Sequence, residues 1–378
     1  MDATRAQTFL MIPGPTPVPD EILQECSRQL IGHRSEDFSQ CIEQVLEDLK
    51  WLGETKEAPM LFTASGTGAM EASICNVINK GDKVLSLVCG SFGERFAKVA
   101  EAFGAQVERL RVANGEAIDP NAVAEKMKGQ SFKAVTVTHN ETSTGVINDL
   151  EKIAKVVKAA GALILVDAVT SFGACRLPID EWKLDMVFTG SQKALMLPPG
   201  LSLLYVSDEA WKAYETCTTP RFYFDLGKYR KFQAENTTPY TPAVSLIRAL
   251  QKSLQMMKGE GKDQIFARHL HLRDLLRSEA NDMGFGLFVK EEWASPSVTA
   301  LVPPDGITVP EIRKELKQKY NIIVANAQDD LKDKVFRVGH MGYMFEREIG
   351  MTLFALKQIV GEKKSGQKSA TDKVQALK

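Results

Sequence analysis

The chain has 378 residues, 44% of them apolar and 25% charged, and its 47 basic residues are balanced by 48 acidic ones. This balance excludes a strong overall charge that would attract nucleic acid or an anionic membrane, and the length favours two domains. No apolar run approaches the roughly 20 residues of a membrane span and no signal-peptide pattern opens the chain, so we expect a cytoplasmic protein.

The first predicted element is an extended arm over residues 1–15, because the prolines that begin at Pro13 exclude a regular helix. Helical periodicity follows at residues 37–52 and again at 68–79. Short apolar segments, typical of buried parallel strands, come next at residues 83–88, 133–138, 162–166, 186–189 and 201–206. Predicted helices separate several of them, at residues 94–103, 120–128 and 149–160.

This alternation predicts an α/β fold with a large domain over residues 16–258, in which helices cover both faces of a mostly parallel sheet. After a long helix that ends near Lys258, mixed strands and helices predict a smaller α+β domain over residues 259–362. Residues 363–378 are lysine-rich and poor in apolar side chains, so we expect a solvated tail.

Lys193 is the first candidate for chemistry. It follows a predicted strand that ends at Thr189, in a loop of small residues bounded by Pro198. Desolvation in such a loop would lower the pKa of the amine and make it a Schiff-base nucleophile and a proton shuttle. A single loop lysine is usually a surface residue, so this interpretation depends on its surroundings.

Asp167 is the second candidate, because it is the only charge of a buried-looking strand and lies at the carboxyl end of that strand. A buried carboxylate needs a cationic or hydrogen-bonding partner. A protonated pyridine nitrogen would be such a partner and would keep the ring an electron sink. The alternative is that Asp167 caps the start of a helix.

The segment at residues 61–71 opens a predicted helix with small and hydroxylated residues around Gly66. Free backbone N–H groups and the helix dipole favour a phosphate there, and Ser65 and Thr67 could add hydroxyl donors. The third glycine of a dinucleotide fingerprint is missing and no GxxxxGK[ST] motif occurs, so nicotinamide or ATP binding is weakly supported. A glycine-rich helix start that binds nothing is the alternative.

Two further segments follow or form predicted strands. Thr142, within residues 139–145, could donate a hydrogen bond to a phenolic oxygen or could belong to a polar turn. Arg337 lies on a short predicted strand of the small domain, where its guanidinium could bind a carboxylate through two hydrogen bonds, or it could be an ordinary surface arginine.

Taken together, these segments resemble the class V aminotransferases, specifically the alanine–glyoxylate and serine–pyruvate aminotransferase group, which has the pyridoxal-phosphate fold type I. The resemblance runs from Pro13-Gly-Pro to about Gly342. The most specific motifs are GSQKA at residues 190–194 with PPG at 198–200, and HxExSTG at 139–145.

The resemblance implies pyridoxal 5'-phosphate as the cofactor, with Lys193 as its Schiff-base lysine and Asp167 as the partner of the pyridine nitrogen. Further implied contacts are those of Ser65, Gly66, Thr67 and Gln192 with the phosphate, Thr142 with the ring oxygen, Phe92 stacked on the ring, and Gly14 and Arg337 with the substrate.

The family also completes its phosphate site from the neighbouring subunit, with a Tyr/Thr pair before a Pro-x-Val segment. Residues 237–244 contain the same residue types at a different spacing, and Tyr240 and Thr241 are the predicted contacts. The resemblance therefore implies a homodimer with shared active sites.

We expect ping-pong transamination from alanine or serine to glyoxylate or pyruvate, with Lys193 as covalent anchor and as general acid and base. An aspartate-type transaminase would need a second cation, for which Arg34, Arg95 and Arg221 are candidates. A desulfurase would need a catalytic cysteine late in the chain, whereas the last one is Cys217.

A third alternative comes from a different class, since some similar proteins have been labelled hydrogenase subunits. The six cysteines form no CxxC pair, and no histidine lies at zinc-ligand spacing. The sequence therefore predicts no metal or iron–sulfur site and gives this alternative little support.

Overall fold

The computed structural model describes residues 8–361 and 371–377. The strands of these residues are β1 (Phe9–Met11), β2 (Met60–Phe62), β3 (Lys83–Val88), β4 (Gln106–Arg111), β5 (Ala134–Thr138), β6 (Asn140–Glu141), β7 (Val146–Ile147), β8 (Leu163–Asp167), β9 (Met186–Gly190), β10 (Ser202–Val206), β11 (Gly286–Leu287), β12 (Val298–Val302), β13 (Ile322–Asn326) and β14 (Phe336–Gly339).

The helices of the same residues are α1 (Asp20–Ser27), α2 (Glu36–Gly53), α3 (Gly66–Cys75), α4 (Ser91–Ala102), α5 (Pro120–Met127), α6 (Leu150–Ala159), α7 (Asp208–Glu215), α8 (Leu226–Gln233), α9 (Val244–Glu260), α10 (Lys262–Asp282), α11 (Val309–Tyr320), α12 (Glu346–Gly361) and α13 (Thr371–Ala376).

The larger sheet has seven strands in the order β2-β10-β9-β8-β5-β3-β4. The five strands from β9 to β4 run parallel to one another, and β10 is antiparallel to both of its neighbours. Because crossovers between parallel strands place helices on the faces of a sheet, this order requires helices on both sides. The predicted α/β class with a mostly parallel sheet is confirmed.

Side chains of β8 show how the sheet is buried. Leu163 and Leu165 pack in an apolar cluster with α3 and α4, whereas Ile164 and Val166 pack in a second cluster with α2, α6 and α9. Successive residues of a strand point to opposite faces, so a strand covered on both faces must be apolar throughout. Asp167, the charged last residue of β8, lies where the strand extends beyond these two apolar clusters.

The second sheet has five strands in the order β1-β13-β14-β12-β11, and α10, α11 and α12 pack on it. β1 belongs to the predicted N-terminal arm, yet it pairs in parallel with β13, and the side chain of Met11 is buried in the core of this sheet. Gly261, with φ at +90°, separates α9 from α10 close to the predicted domain boundary. The boundaries themselves remain a prediction.

The predicted solvated tail over residues 363–378 differs in part from the structure. Residues 362–370 lie outside the described part of the chain, but Thr371–Ala376 form helix α13. Val374 of this helix and Leu377, which follows it, pack against the cluster that contains Phe288 and Leu331. None of the helices in residues 8–361 and 371–377 has the length and apolar character needed to cross a membrane.

Candidate active site

A cavity of about 350 Å³ lies beyond the carboxyl ends of β8 and β9, where an open parallel sheet usually binds its ligand. The N-terminal segment, the first turns of α3 and α4, and the loops after the strands form its walls. The predicted site residues that line it are Gly14, Ser65, Gly66, Thr67, Phe92, Thr142, Asp167, Gln192 and Lys193. The structure therefore brings together residues that are up to 179 positions apart, from Gly14 to Lys193.

Asp167 ends β8 with only 3% of its surface exposed. Its carboxylate accepts a 2.9 Å hydrogen bond from Val169 N, and no cation of the described residues forms an ion pair with it. Burial raises the pKa of Asp167 to about 7, against the opposing effect of the Val169 hydrogen bond. A cationic ring nitrogen would supply the charge that this carboxylate lacks.

Lys193 follows β9 and is 8% exposed. Its Nζ donates a hydrogen bond to the carbonyl oxygen of Pro13. Burial, and then the nearby charge of Arg337, lower the pKa of Lys193 to about 8, whereas Asp167 acts in the opposite direction. A much larger fraction of this amine is therefore neutral near pH 7 than of an ordinary lysine.

Gly14 fits closely beside this amine. A Cβ atom at position 14 would lie 2.8 Å from Nζ, Cε and Cδ of Lys193, and the φ angle of +138° is one that residues with side chains rarely adopt. A glycine is therefore required here for the lysine side chain to occupy its present position.

The start of α3 has the chemistry of an anion site. Ser65 is the N-cap residue, but its side chain forms no capping hydrogen bond. The first N–H groups of a helix have no partner within the helix, so those of α3 can meet an anion. Gln192 also lines this cavity, and its buried amide oxygen has no partner within residues 8–361 and 371–377.

A hydrogen bond between Thr142 and Arg337 connects the hairpin of β6 and β7 with β14 of the second sheet. The hydroxyl of Thr142 lies 2.5 Å from that of Thr170, and its carbonyl oxygen accepts a 2.8 Å hydrogen bond from Nη1 of Arg337. Nε and Nη2 of Arg337 donate to the carbonyl oxygen of Asn326. Three of the five guanidinium N–H groups are thus used, which leaves two for a ligand.

Arg337 does not itself line the cavity, but it donates a hydrogen bond to Thr142, which does. Only 6% of its surface is exposed. Burial lowers the pKa of Arg337 to about 10, and the charge of Glu141 opposes this shift. The guanidinium remains a cation at neutral pH because this pKa is still well above 7.

Tyr240 and Thr241 also lie outside the cavity. The hydroxyl of Tyr240 donates a 2.9 Å hydrogen bond to the carbonyl oxygen of Phe222, and its ring stacks on Tyr223 with centroids 5.2 Å apart. Thr241 is exposed. Their predicted contact with the site of a second subunit stays a prediction.

Glu141 and Thr170 were missed by the sequence interpretation. Glu141 is fully buried, and its carboxylate accepts hydrogen bonds from the backbone N–H groups of Phe92, Gly93 and Ser143 at 3.0–3.1 Å. It thereby holds the first turn of α4, which carries Phe92, against the site. The glutamate of the HxExSTG motif was visible in the sequence, but nothing in the motif identified its partners.

Comparisons with known proteins agree with this arrangement. The sequence model of the family "Aminotransferase class-V" matches residues 8–328. The chain is 46% identical to the soluble hydrogenase small subunit of Synechococcus sp., over 94% of each chain. It is 36% identical to the serine–glyoxylate aminotransferase of Methylorubrum extorquens, over 92% of this chain and 90% of that one.

A solved structure of alanine–glyoxylate aminotransferase from Nostoc sp. superposes with a TM-score of 0.91 at 28% identity, over 95% of this chain and 97% of that one. The predicted family is thus confirmed: the chain belongs to the class V aminotransferases, a family of pyridoxal-phosphate-dependent enzymes.

Proposed function

We propose that this enzyme transfers an amino group from alanine or serine to glyoxylate or pyruvate in two half-reactions. The observation that carries the proposal is that a desolvated amine, Lys193, and a desolvated carboxylate, Asp167, line one cavity at the ends of adjacent strands. The names of the relatives from Methylorubrum extorquens and Nostoc sp. support glyoxylate as an acceptor.

The residues of the cavity fit the cofactor of the family. Asp167 would hold the pyridine nitrogen, and its missing counter-charge matches that role. Ser65, Gly66, Thr67 and Gln192 would hold the phosphate, Phe92 would stack on the ring and Thr142 would contact the ring oxygen. When bound, pyridoxal phosphate supplies an aldehyde that condenses with amines and a ring that withdraws electrons.

Lys193 is the residue proposed to move the proton. An amine whose pKa is near 8 can accept a proton from the substrate Cα and return it, because neither form is strongly disfavoured near neutral pH. The Pro13 carbonyl oxygen and the close contact with Gly14 keep Nζ in position.

Arg337 and Gly14 are the residues proposed to bind the substrate carboxylate. The two free N–H groups of the Arg337 guanidinium can form a pair of parallel hydrogen bonds with this carboxylate. The hydrogen bonds to the carbonyl oxygens of Thr142 and Asn326 fix the plane of the guanidinium. A cavity of about 350 Å³ is near the lower end of the range for ligand pockets, which favours small substrates.

The proposed assembly is a homodimer in which Tyr240 and Thr241 reach the phosphate of the second subunit. Exposed aromatic side chains beside them support an interface here, since Phe222 is 71% exposed and Tyr223 stacks on Tyr240. The proposed compartment is the cytoplasm, because all six cysteines are free thiols and a reducing environment preserves them.

The name of the Synechococcus relative suggests a different role, as a hydrogenase-associated subunit. The cavity favours the enzyme over a purely structural subunit, because a structural subunit gains nothing from a buried amine beside a buried carboxylate. The purified protein should therefore absorb visible light once it is supplied with the cofactor.

Replacement of Lys193 by alanine tests the proposal. Loss of the covalent anchor and proton carrier should lower transamination of alanine or serine with glyoxylate by a factor of about a thousand or more. Lys98→Ala, which removes an exposed lysine of α4, is the control and should retain wild-type activity. Borohydride reduction should attach the cofactor to position 193 in the wild-type protein. Substantial activity of Lys193→Ala, or labelling elsewhere, would contradict the assignment.

A further inference from the structure

Arg95 is a cation at the cavity that the proposed reaction does not use. It is an exposed residue of α4, one turn after Ser91, and its guanidinium carbon lies 4.7 Å from the ring centroid of Phe92. Both residues line the cavity. Stacking on an aromatic ring restrains the guanidinium plane while its N–H edge stays available for a planar anion.

No carboxylate of the described residues lies within 4 Å of this guanidinium. Arg109 and Arg111, close by on β4, both pair with Glu94. Arg230 is the nearest match to Arg95, because it too is exposed and its guanidinium carbon lies 4.5 Å from the ring centroid of Trp211. Arg230, however, lies outside the cavity.

The other two arginines considered as second cations are engaged elsewhere. Nη1 of Arg34 donates to the hydroxyl of Thr237 and to the carbonyl oxygen of Thr238, each at 2.6 Å. Arg221 donates to backbone carbonyl oxygens, including that of Thr219 at 3.0 Å. Neither lines the cavity, so Arg95 is the remaining candidate of the three.

The charge of Arg95 also acts inside the cavity. The pKa of Asp167 is raised chiefly by burial, and Arg95 is among the groups whose charge opposes that rise. An anionic substrate group in the same cavity would therefore be attracted by Arg95, and more strongly there than in bulk water.

We propose that Arg95 binds the distal carboxylate of a short dicarboxylic amino donor, so that the site accepts aspartate in addition to alanine and serine. This inference rests on the proposed function and names a further class of donor for the same site. The phosphate of the cofactor is the other anion that Arg95 could meet. The carboxylate is favoured because α3, Gln192 and the hydroxyls of Ser65 and Thr67 already provide donors for a phosphate.

Arg95→Gln and the matched control Arg230→Gln test this, with kcat/KM measured for aspartate, alanine and serine against glyoxylate. Arg95→Gln should lower kcat/KM for aspartate by about 10- to 100-fold, the range expected for a lost charged hydrogen bond. The values for alanine and serine should change by less than about threefold. Arg230→Gln should leave all three unchanged, and Arg95→Lys should recover part of the aspartate activity.

An equal loss for all three donors in Arg95→Gln would overturn the inference. A second arm compares equilibrium binding of pyridoxal phosphate and of pyridoxal to Arg95→Gln by absorbance, without any turnover. Weaker binding of the phosphorylated form alone would assign Arg95 to the phosphate and also overturn it. If the wild-type enzyme uses alanine or serine but not aspartate, the inference fails and the proposed function stands; if no donor reacts, the proposed function fails as well.

Discussion

The first turns of α3 and α4 lie against the same cavity but differ in how their backbone N–H groups are satisfied. At α4 the carboxylate of Glu141 accepts hydrogen bonds from Phe92 N and Gly93 N, each at 3.1 Å. At α3 the N-cap residue Ser65 forms no capping bond with its side chain. One helix start is completed by an anion of its own chain, whereas the other is suited to an anion that binds from outside.

Glycines permit both arrangements. A side chain at Gly90 would collide with Ser143 and Glu141, so the internal carboxylate can reach α4 only if position 90 has none. At Gly66 a Cβ atom would lie 2.9 Å from Cγ2 of Val169, a residue of the cavity wall. Similar glycine-rich segments thus serve stability at one helix and, in our proposal, ligand binding at the other.

The largest effect is expected from removal of the internal anion. Glu141→Ala leaves buried N–H groups of Phe92, Gly93 and Ser143 without an acceptor, so the free energy of unfolding should fall by about 2–4 kcal/mol. Denaturant unfolding of the cofactor-free protein measures it. Glu125→Ala, at a well-exposed position of α5, is the control and should change stability by less than about 0.5 kcal/mol. A loss below about 1 kcal/mol for Glu141→Ala would show that α4 does not depend on this carboxylate.

Asp167 offers the opposite test, because it is a buried carboxylate with few partners. Its pKa is raised to about 7 by burial, so between about pH 4 and 7 the folded state holds a proton that the unfolded state has released. The contribution of Asp167 to the stability of the cofactor-free protein should therefore fall as pH rises through this window, by an amount on the order of a few kcal/mol.

Asp167→Asn removes this contribution. Above pH 7 the cofactor-free variant should be more stable than the wild type, although it should bind the cofactor more weakly. Burial lowers the pKa of His139, His269 and His340, so the contribution of these histidines to stability increases as pH rises. This contribution is the same in both proteins and cancels when they are compared at each pH. Equal stability of both proteins from pH 4 to 9 would contradict the raised pKa.

Much of this site could be predicted from the sequence because the strands that carry it are apolar and buried on both faces. Lys193 and Asp167 follow or end such strands, and the carboxyl ends of parallel strands meet at one edge. Edge strand β4 was missed, since its sequence QVERLR carries charges along a half-buried strand and lacks the apolar pattern of its neighbours.

Contacts between distant segments could not be predicted. The two partners of Glu141 in α4 lie 48 and 49 positions away, and only the folded chain brings β6 to the start of α4. The pairing of β1 with β13 is of the same kind, because a three-residue strand has no periodic pattern of its own. In both cases backbone groups bond to a segment far away in the sequence, and the local pattern of side chains does not reveal such a partner.

The smallest effect on stability is expected at α3, and it distinguishes the two helix starts directly. Ser65 caps nothing in the cofactor-free protein, so Ser65→Ala should change the free energy of unfolding by less than about 0.5 kcal/mol. A lost capping bond would cost about 1 kcal/mol. If the hydroxyl instead contacts a bound phosphate, the variant should bind pyridoxal phosphate about tenfold more weakly and bind pyridoxal as the wild type does. A stability loss near 1 kcal/mol with unchanged cofactor affinity would mean that the Ser65 hydroxyl caps its own helix, and the proposed phosphate site would keep only the hydroxyl of Thr67.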